Sequence, residues 1–199
     1  AFDVTDRAAT AAALAALTEA GTVQILVNNA GIHDDAVFPG MSGDQWDRVL
    51  DVSLNGFYNV TQPLTMPMIR TRWGRIVSIS SVAAIMGNRG QVNYAAAKAG
   101  LIGAARSLAR EVGSRGITVN VIMPGRVATD RLRQLDEARA KRENVAYDAV
   151  VAASIKLIPA GRYGDPKEYG DTAAFLASVN ASYITGSVIR VDGGQIQGI

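Results

Sequence analysis

The sequence predicts an α/β domain in which helices pack on both faces of a doubly wound parallel sheet, giving a three-layer α/β/α architecture. Short apolar strand segments alternate with helical segments of more than about ten residues, the pattern of consecutive βαβ units. The strand segments are continuous apolar runs, as expected of strands buried on both faces. Right-handed crossovers then distribute the helices over both faces of the sheet. Neither a repeat nor a linker divides the chain, so we expect a single domain over residues 1–199.

The strands are predicted from apolar runs bounded by turn residues, and helical patterns lie between them. Thr5 or Asp6 can cap the first helix, and Pro63 and Pro67 are expected to kink the second. Predicted strands lie at residues 23–28, 75–81, 117–123 and 187–191, with a strand stub at residues 2–4. Predicted helices lie at residues 7–20, 42–72, 92–113 and 166–178, and the charged stretch 131–157 forms one or two more.

Composition excludes several classes of function. The chain carries a formal net charge of +2 with scattered basic side chains, so no basic run follows a nucleic-acid backbone. No apolar stretch reaches the roughly 18 residues of a membrane helix and no signal peptide is visible, so a cytoplasmic protein is expected. With no cysteine and one histidine, His33, the chain lacks the usual metal ligands, and no metal is predicted. His33 lies in a loop, where a solvated side chain is expected, although loops at this position can border the active site.

A tyrosine and a lysine four residues apart give the first chemical signal. Tyr94 and Lys98 lie on one face of a predicted helix, about one turn apart. A phenol is a poor base at neutral pH, but a nearby ammonium stabilises the phenolate and lowers the pKa of the tyrosine. The pair can then act as a general acid toward a ketone or as a general base toward an alcohol. The spacing alone is common, so an ordinary surface pair is the competing interpretation.

Small and polar residues at the predicted carboxyl ends of strands supply the context. Ser81 ends a strand thirteen residues before Tyr94 and can hydrogen-bond a substrate oxygen from the opposite side. The stretch 28–31 and the pair Pro124-Gly125 follow two other strands, where small residues let a cofactor approach the backbone. Asn55 lies in an apolar helical segment, where a buried amide needs a partner such as a catalytic water. Ligands of open parallel sheets bind beside these strand ends, so we expect one shared crevice.

Together these motifs resemble the classical short-chain dehydrogenase/reductase family over essentially the whole chain. The resemblance implies a Rossmann-type fold and an enzyme that moves a hydride between a nicotinamide cofactor and a carbonyl or hydroxyl group. The matching pieces are NNAG at Asn28, NG at Asn55, ISSV with Ser81, YAAAK from Tyr94 to Lys98, PG at Pro124 and VDGG near the end. The implied catalytic residues are the proton donor Tyr94, its helper and ribose ligand Lys98, the carbonyl-orienting Ser81, and Asn55, which holds a relay water.

The resemblance also implies a cofactor wall at the strand ends. NADP(H) is expected, with NAD(H) as the alternative, because the residues that select the 2′-phosphate normally follow the family's first two strands. Those strands and the family's TGxxxGxG turn have no counterpart here, which implies a longer protein with about 50–60 residues, roughly one βαβ unit, before Ala1. Without them, no bound cofactor and an unpaired edge on strand 23–28 are expected. The implied cofactor residues are Asp3, Val4, Asn28, Ala30, Gly31, Tyr94, Lys98, Pro124, Gly125, Val127 and Thr129.

Within the family, the stretches NRGQVNYAAAKAGLIG and SLAREVGSRGITVNV most resemble the 3-oxoacyl-(acyl-carrier-protein) reductases. This implies reduction of a carrier-bound 3-oxoacyl thioester in a fatty-acid or polyketide pathway, by a homodimer or homotetramer with a substrate lid at residues 131–157. Arg72 and Arg115 match the arginines that dock the acyl-carrier protein, with solvated arginines as the alternative. The lid's basic residues are expected to be solvated: Arg131, Arg133, Arg139, Lys141 and Arg142.

Two other functions stay open at this point. The lid is longer than in typical fatty-acid reductases, which leaves room for a dehydrogenase of another small alcohol, sugar or steroid. A non-catalytic scaffold subunit is the alternative of another class, and the intact Ser81, Tyr94, Lys98 and Asn55 argue against it.

Overall fold

A computed structural model describes residues 1–197 and shows a parallel sheet with helices on both faces. The strands stand in the order β1-β2-β3-β4, and all three pairings are parallel. They are β1 (Ile25–Asn28), β2 (Gly74–Ile79), β3 (Ile117–Pro124) and β4 (Val188–Val191). The helices are α1 (Arg7–Glu19), α2 (Gly43–Leu50), α3 (Gly56–Thr71), α4 (Ala83–Met86), α5 (Val92–Val112), α6 (Asp130–Glu143), α7 (Tyr147–Ile155) and α8 (Pro166–Ala177). The predicted α/β class is confirmed.

Alternate residues of the central strands point to opposite faces, and each face has its own helices. Ile76 of β2 packs in a cluster with Leu14 of α1, Leu64 of α3 and several apolar side chains from α5. Its neighbour Val77 packs in a second cluster with Leu176 of α8. Since side chains alternate along a strand, these two clusters form the two interfaces of a three-layer α/β/α domain.

Three helices begin with a side chain that caps the first turn, among them Asp6, one of the two caps that the sequence predicts for the first helix. Asp6 accepts a hydrogen bond from the backbone N–H of Ala9 at 2.9 Å and caps α1. Ser42 forms a capping box with Gln45 at the start of α2, and Asp165 forms one with Glu168 at the start of α8. These side chains satisfy backbone N–H groups that the first turn of a helix leaves unpaired.

Two local predictions are wrong. Residues 2–4 form no strand within the described part of the chain; instead, the Asp3 carbonyl accepts hydrogen bonds from Asp6 and Thr10, which fold this segment onto the start of α1. The stretch 42–72, predicted as one helix, is interrupted by a π-helical turn at Asp51–Asn55. Pro63 and Pro67 lie inside α3, where the buried Leu64 and Met68 anchor that segment to the sheet.

The edge of the sheet at β1 is open within residues 1–197, because β1 pairs with β2 alone. Ile25 and Val27 on its outer face are 49% and 44% exposed, whereas Leu26 between them is buried. This is the unpaired edge that the sequence predicts. Over the same residues, no helix combines the length and the apolar character needed to cross a bilayer. The cytoplasmic location stays a prediction.

Candidate active site

The carboxyl ends of β2 and β3 open into a cavity of about 600 Å³. Ser81 lies two residues beyond β2, and Pro124 is the last residue of β3. Tyr94, in the first turn of α5, lines the cavity together with both. Helix α6 supplies another part of the wall through Leu132 and Leu135. The predicted crevice therefore exists, and the segment predicted as a lid folds into the helices α6 and α7, of which α6 lines it.

Ser81 and Tyr94 both line this cavity. Burial raises the pKa of Tyr94, the nearby Ser81 hydroxyl lowers that pKa, and the carboxylate of Asp35 raises it again. The net effect raises the pKa of Tyr94 above its ordinary value. This differs from the predicted decrease because burial is the largest effect, and Lys98 is not among the groups that shift this phenol. At neutral pH the phenol therefore holds its proton and is ready to act as an acid.

Lys98 lies behind Tyr94 as a buried ammonium group. Its Nζ is 5.6 Å from the centre of the Tyr94 ring and donates a hydrogen bond to the Ile79 carbonyl oxygen at 2.9 Å. The residue is 3% exposed, and burial lowers its pKa to about 8. An ammonium has three N–H donors, and Ile79 is the one hydrogen-bond partner that Lys98 Nζ has among the described residues. Donors remain for the hydroxyl groups of a ligand.

Gly31 explains how a ligand can reach this ammonium. A Cβ atom at Gly31 would lie 3.0 Å from Lys98 Nζ, closer than ordinary side-chain contacts. The absence of a side chain at residue 31 thus leaves room in front of the ammonium, as predicted for the cofactor wall.

Asn55 does not take the place that the sequence assigns to it. It ends the π-helical turn, its side chain is exposed, and its amide donates to the carboxylate of Asp51. No described contact joins it to Lys98. The helical pattern predicts an inward-facing amide here, but the π turn rotates the segment, and such turns occur frequently at functional sites.

Eight of the eleven predicted cofactor residues line two adjoining cavities that share Asn29, whereas Asp3, Gly31 and Lys98 do not line them. Asp3 lines neither one, and its carboxylate instead accepts hydrogen bonds from the backbone and hydroxyl of Thr5. A smaller cavity of about 200 Å³ is lined by the predicted residues Val4, Asn28 and Ala30. The larger cavity is lined by Pro124, Gly125, Val127, Thr129 and Tyr94. Two adjoining cavities suit a ligand with two halves, such as a dinucleotide.

Two buried polar atoms show that the larger cavity suits a polar ligand. The hydroxyl of Tyr169 and the Oε1 atom of Gln195 are buried without a hydrogen-bond partner among the described residues. Both residues line the larger cavity. Buried polar groups are normally paired, so a ligand with a donor for the Gln195 oxygen fits here. A nicotinamide ring, whose carboxamide carries such an N–H donor, has the required chemistry.

Comparison with known proteins agrees with this geometry. A family model described as "Enoyl-(Acyl carrier protein) reductase" matches residues 1–195. The 3-oxoacyl-(acyl-carrier-protein) reductase FabG of Aggregatibacter actinomycetemcomitans is 49% identical over 195 residues, which cover 97% of this chain and 75% of the relative. The chain belongs to the short-chain dehydrogenase/reductase family. It is an oxidoreductase family, as the sequence predicts.

Two further matches to this short-chain dehydrogenase/reductase have different substrates in their names. The FabG reductase of Escherichia coli (strain K12) is 44% identical over 194 residues, which cover 97% of this chain and 75% of the relative. The crystal structure of a proposed gluconate dehydrogenase from Agrobacterium tumefaciens superposes with a TM-score of 0.90 at 32% identity, covering 100% of this chain and 75% of that one.

Sequence reasoning missed His33, which lies against Tyr94. The two rings are stacked, with centroids 3.9 Å apart and planes inclined by 26°. His33 lines the larger cavity and is half-buried, so the expected solvated loop histidine is wrong. A polar ring two residues beyond the NNAG motif was the available signal, but nothing local shows that this loop folds back onto α5.

The arginines fall into two groups at opposite ends of the sheet. Arg72 precedes β2 and Arg115 precedes β3, so both predicted docking residues lie at the amino ends of the strands, exposed to solvent. At the carboxyl ends, Arg131 and Arg142 of the lid are exposed, as expected, although both line the larger cavity together with the partly buried Arg139. The arginines that line the larger cavity are Arg89, Arg126, Arg131, Arg139 and Arg142.

Proposed function

We propose that this chain reduces the 3-oxo group of an acyl thioester on acyl-carrier protein to the 3-hydroxy group, with NADPH as the reductant. The observation that carries the proposal is that Ser81 and Tyr94 line one cavity, with the buried Lys98 behind Tyr94. The named relatives, 44% and 49% identical, are 3-oxoacyl-(acyl-carrier-protein) reductases. NAD(H) in place of NADPH is the alternative cofactor.

The residues divide the chemistry as follows. A nicotinamide cofactor, when bound, would supply the hydride that the carbonyl carbon needs. The Ser81 hydroxyl donates a hydrogen bond to the substrate oxygen and holds the carbonyl beside the phenol. Tyr94 gives its proton to the same oxygen, so that the ketone becomes an alcohol and the phenolate is later reprotonated from water. With its raised pKa, Tyr94 holds its proton at neutral pH, as a proton donor must.

The cofactor would lie along the two cavities. Val4, Asn28 and Ala30 line the smaller cavity and would hold the adenosine half, whereas Pro124, Gly125, Val127 and Thr129 would surround the nicotinamide half. Lys98 would bind the ribose hydroxyls through its remaining donors, past Gly31. Asp3 would lie near the adenine, and Asn55 would hold a relay water. Neither residue lines the two cavities described above.

The charge around the cavity supports an anionic substrate carrier. Arg126 is neutralised by the buried Asp136 at 3.2 Å, and Arg139 and Arg142 share Glu143. Arg89 and Arg131 form no ion pair among the described residues. A net positive rim favours approach of an acidic protein or a phosphate-bearing arm. We propose that the chain acts as a homodimer or homotetramer on such a carrier.

One observation favours a second function. The superposed gluconate dehydrogenase candidate has the same fold at 32% identity, and gluconate is also an anion that suits an arginine-rimmed cavity. A dehydrogenase of a small sugar acid is therefore the competing proposal. It predicts NAD(P)⁺ reduction with gluconate and no NADPH oxidation with a 3-oxoacyl thioester.

Removing the Tyr94 hydroxyl tests the proposal. Tyr94→Phe deletes the proton donor and keeps the ring, so kcat for a 3-oxoacyl carrier thioester should fall by about 10²-fold or more. NADPH oxidation is followed by its absorbance, and circular dichroism checks the fold. Tyr183→Phe is the matched control, because Tyr183 is fully exposed, and it should keep the native rate. A Tyr94→Phe enzyme with most of the native rate would refute the role, and turnover of gluconate alone would refute the substrate.

A further inference from the structure

The loop that carries His33 is bound to the start of α5 by several hydrogen bonds. The fully buried Asn93 donates from its amide to the carbonyl oxygens of Asp34 and Gln45, both at 3.0 Å. The Ala36 N–H donates to the Gly90 carbonyl oxygen at 2.9 Å. Gly90 lies just before α5, and Asn93 lies in its first turn, which also carries Tyr94. The start of α5 therefore positions the loop whose His33 touches Tyr94.

The imidazole of His33 is held flat against Tyr94 from its other side. Gln91 places its Nε2 atom 3.4 Å from Nδ1 of His33 and donates to the carboxylate of Asp35 at 3.0 Å. The Asp35 carboxylate itself lies 3.8 Å from the same ring nitrogen. With ring centroids 3.9 Å apart, the imidazole and the phenol are in direct contact. Two polar side chains thus fix the ring that covers one face of the proton donor.

We propose that His33 is a positioning residue for the proton-transfer step, its imidazole packing on Tyr94 so that the phenolic hydroxyl stays directed at Ser81 and the substrate oxygen. The inference rests on the proposed role of Tyr94 as proton donor. A phenol has two rotatable side-chain bonds, and covering one face of its ring removes swinging motions that would carry the hydroxyl away. Reacting groups must be held closely, and a displacement of about 1 Å can cost about 10²-fold in rate.

The charges that face His33 come from three elements. Asp35 belongs to its own loop, Lys98 to α5 and Arg131 to α6. Burial lowers the pKa of His33, Arg131 and Lys98 lower it further, and Asp35 raises it, with a net decrease. At neutral pH the ring is therefore uncharged, and a neutral imidazole can stack on a neutral phenol without adding a third positive charge beside Lys98 and Arg131.

The kinetic test compares three variants of the full chain. His33→Ala should lower kcat for the ketone by about tenfold, while KM for NADPH stays within about twofold, because the ring affects orientation and not binding. His33→Phe, which restores a ring over Tyr94, should recover most of the native kcat. Val37→Ala, an exposed change in the same loop, should match the native enzyme. A kcat unaffected by His33→Ala, or one that His33→Phe does not rescue, overturns the inference.

A spectroscopic test does not depend on turnover. The chain contains one histidine, so the untagged protein gives a single set of imidazole C–H resonances in NMR. The ring current of Tyr94 should shift them upfield of a free imidazole, and Tyr94→Leu should remove the shift. Resonances at the free position in the native protein overturn the contact and the inference with it. A native enzyme that shows the shift but turns over no carrier-linked thioester rejects the proposed substrate, and the His33 variants are then compared on the small carbonyl or alcohol that it does accept.

Discussion

The two ends of the sheet differ in what they can do for a substrate. The carboxyl ends of β2 and β3 hold Ser81, Pro124 and the cavity, whereas the amino ends hold Arg72 and Arg115. The six residues of β2 separate the two ends by roughly 20 Å at about 3.3 Å per residue. A carrier that delivers its acyl group to the cavity of the same chain must approach the carboxyl ends. Docking at the amino ends can serve only a cavity on another subunit.

The amino end also has structural reasons for its sequence. Arg72 ends α3 in the left-handed conformation with φ 53°, and its guanidinium donates to the Ser114 carbonyl oxygen at 3.2 Å. A Cβ atom at Gly116 would lie 2.3 Å from the Arg72 carbonyl oxygen, so the two turns before β2 and β3 are in tight contact. Arg72 therefore has two possible reasons to be an arginine: docking of a carrier, as the resemblance implies, or joining the two turns. Docking by Arg72 and Arg115 stays a prediction.

The largest expected effect concerns the buried charge at the carboxyl end. Burial lowers the pKa of Lys98 from 10.5 to about 8 in the folded chain. Between about pH 8 and 10.5 the unfolded chain therefore binds the extra proton, so this group makes the protein more stable as pH rises through that window, and its cost is fully present below pH 8. Over the whole window the gain is on the order of 3 kcal/mol.

The contribution of Lys98 to the pH dependence of stability is obtained as the difference between the native chain and a variant without this lysine. Urea unfolding of the native chain and of Lys98→Met is measured at several pH values from 7 to 10.5, and the native chain should gain stability relative to the variant as pH rises. Lys156→Met, an exposed lysine near the end of α7, is the matched control and should run parallel to the native chain. A constant difference between native and Lys98→Met would mean that Lys98 is not a buried cation.

Charge reversal at each end compares the two arginine groups directly. Arg89→Glu at the cavity rim should lower kcat/KM for a carrier-linked thioester by about tenfold, because it reverses an unpaired charge where the carrier approaches. A small free thioester should be affected less than about twofold, since the chemistry is untouched. Arg115→Glu at the amino end is the matched reversal and should leave both substrates unchanged if the carrier serves the same chain. A larger loss from Arg115→Glu would place docking at the amino end and would require a second subunit.

Much of the site could be predicted because the chemistry is local in sequence. The spacing of Tyr94 and Lys98 puts both on one face of α5, and Ser81 follows a buried strand, so the carboxyl-end rule brings them together. The direction of the Tyr94 pKa shift could not be predicted, because it depends on how deeply the phenol is buried. The spacing of Tyr94 and Lys98 shows only that an ammonium group lies near the phenol.

Other features depend on contacts between distant segments. His33 reaches Tyr94 only because Asn93 and Gly90 bind its loop through backbone groups, which no local pattern reveals. The π-helical turn Asp51–Asn55 shares its apolar pattern with an α-helix, so the sequence alone does not distinguish the two. In the same way, the family resemblance assigns a docking role to Arg72 and Arg115, but it does not tell how far these residues lie from the cavity.

The smallest expected effect tests whether Arg72 is kept for its charge or for its backbone. Arg72→Gly removes the guanidinium and its bond to Ser114, but glycine adopts the left-handed conformation without the cost of about 1–2 kcal/mol that other residues meet. These changes oppose each other, so the free energy of unfolding should stay within about 1 kcal/mol of native. Arg106→Gly, the same change on an exposed site inside α5, should cost about 1 kcal/mol. If Arg72→Gly is clearly the more damaging of the two in urea unfolding, the arginine is structural, and its match to a docking residue carries no functional weight.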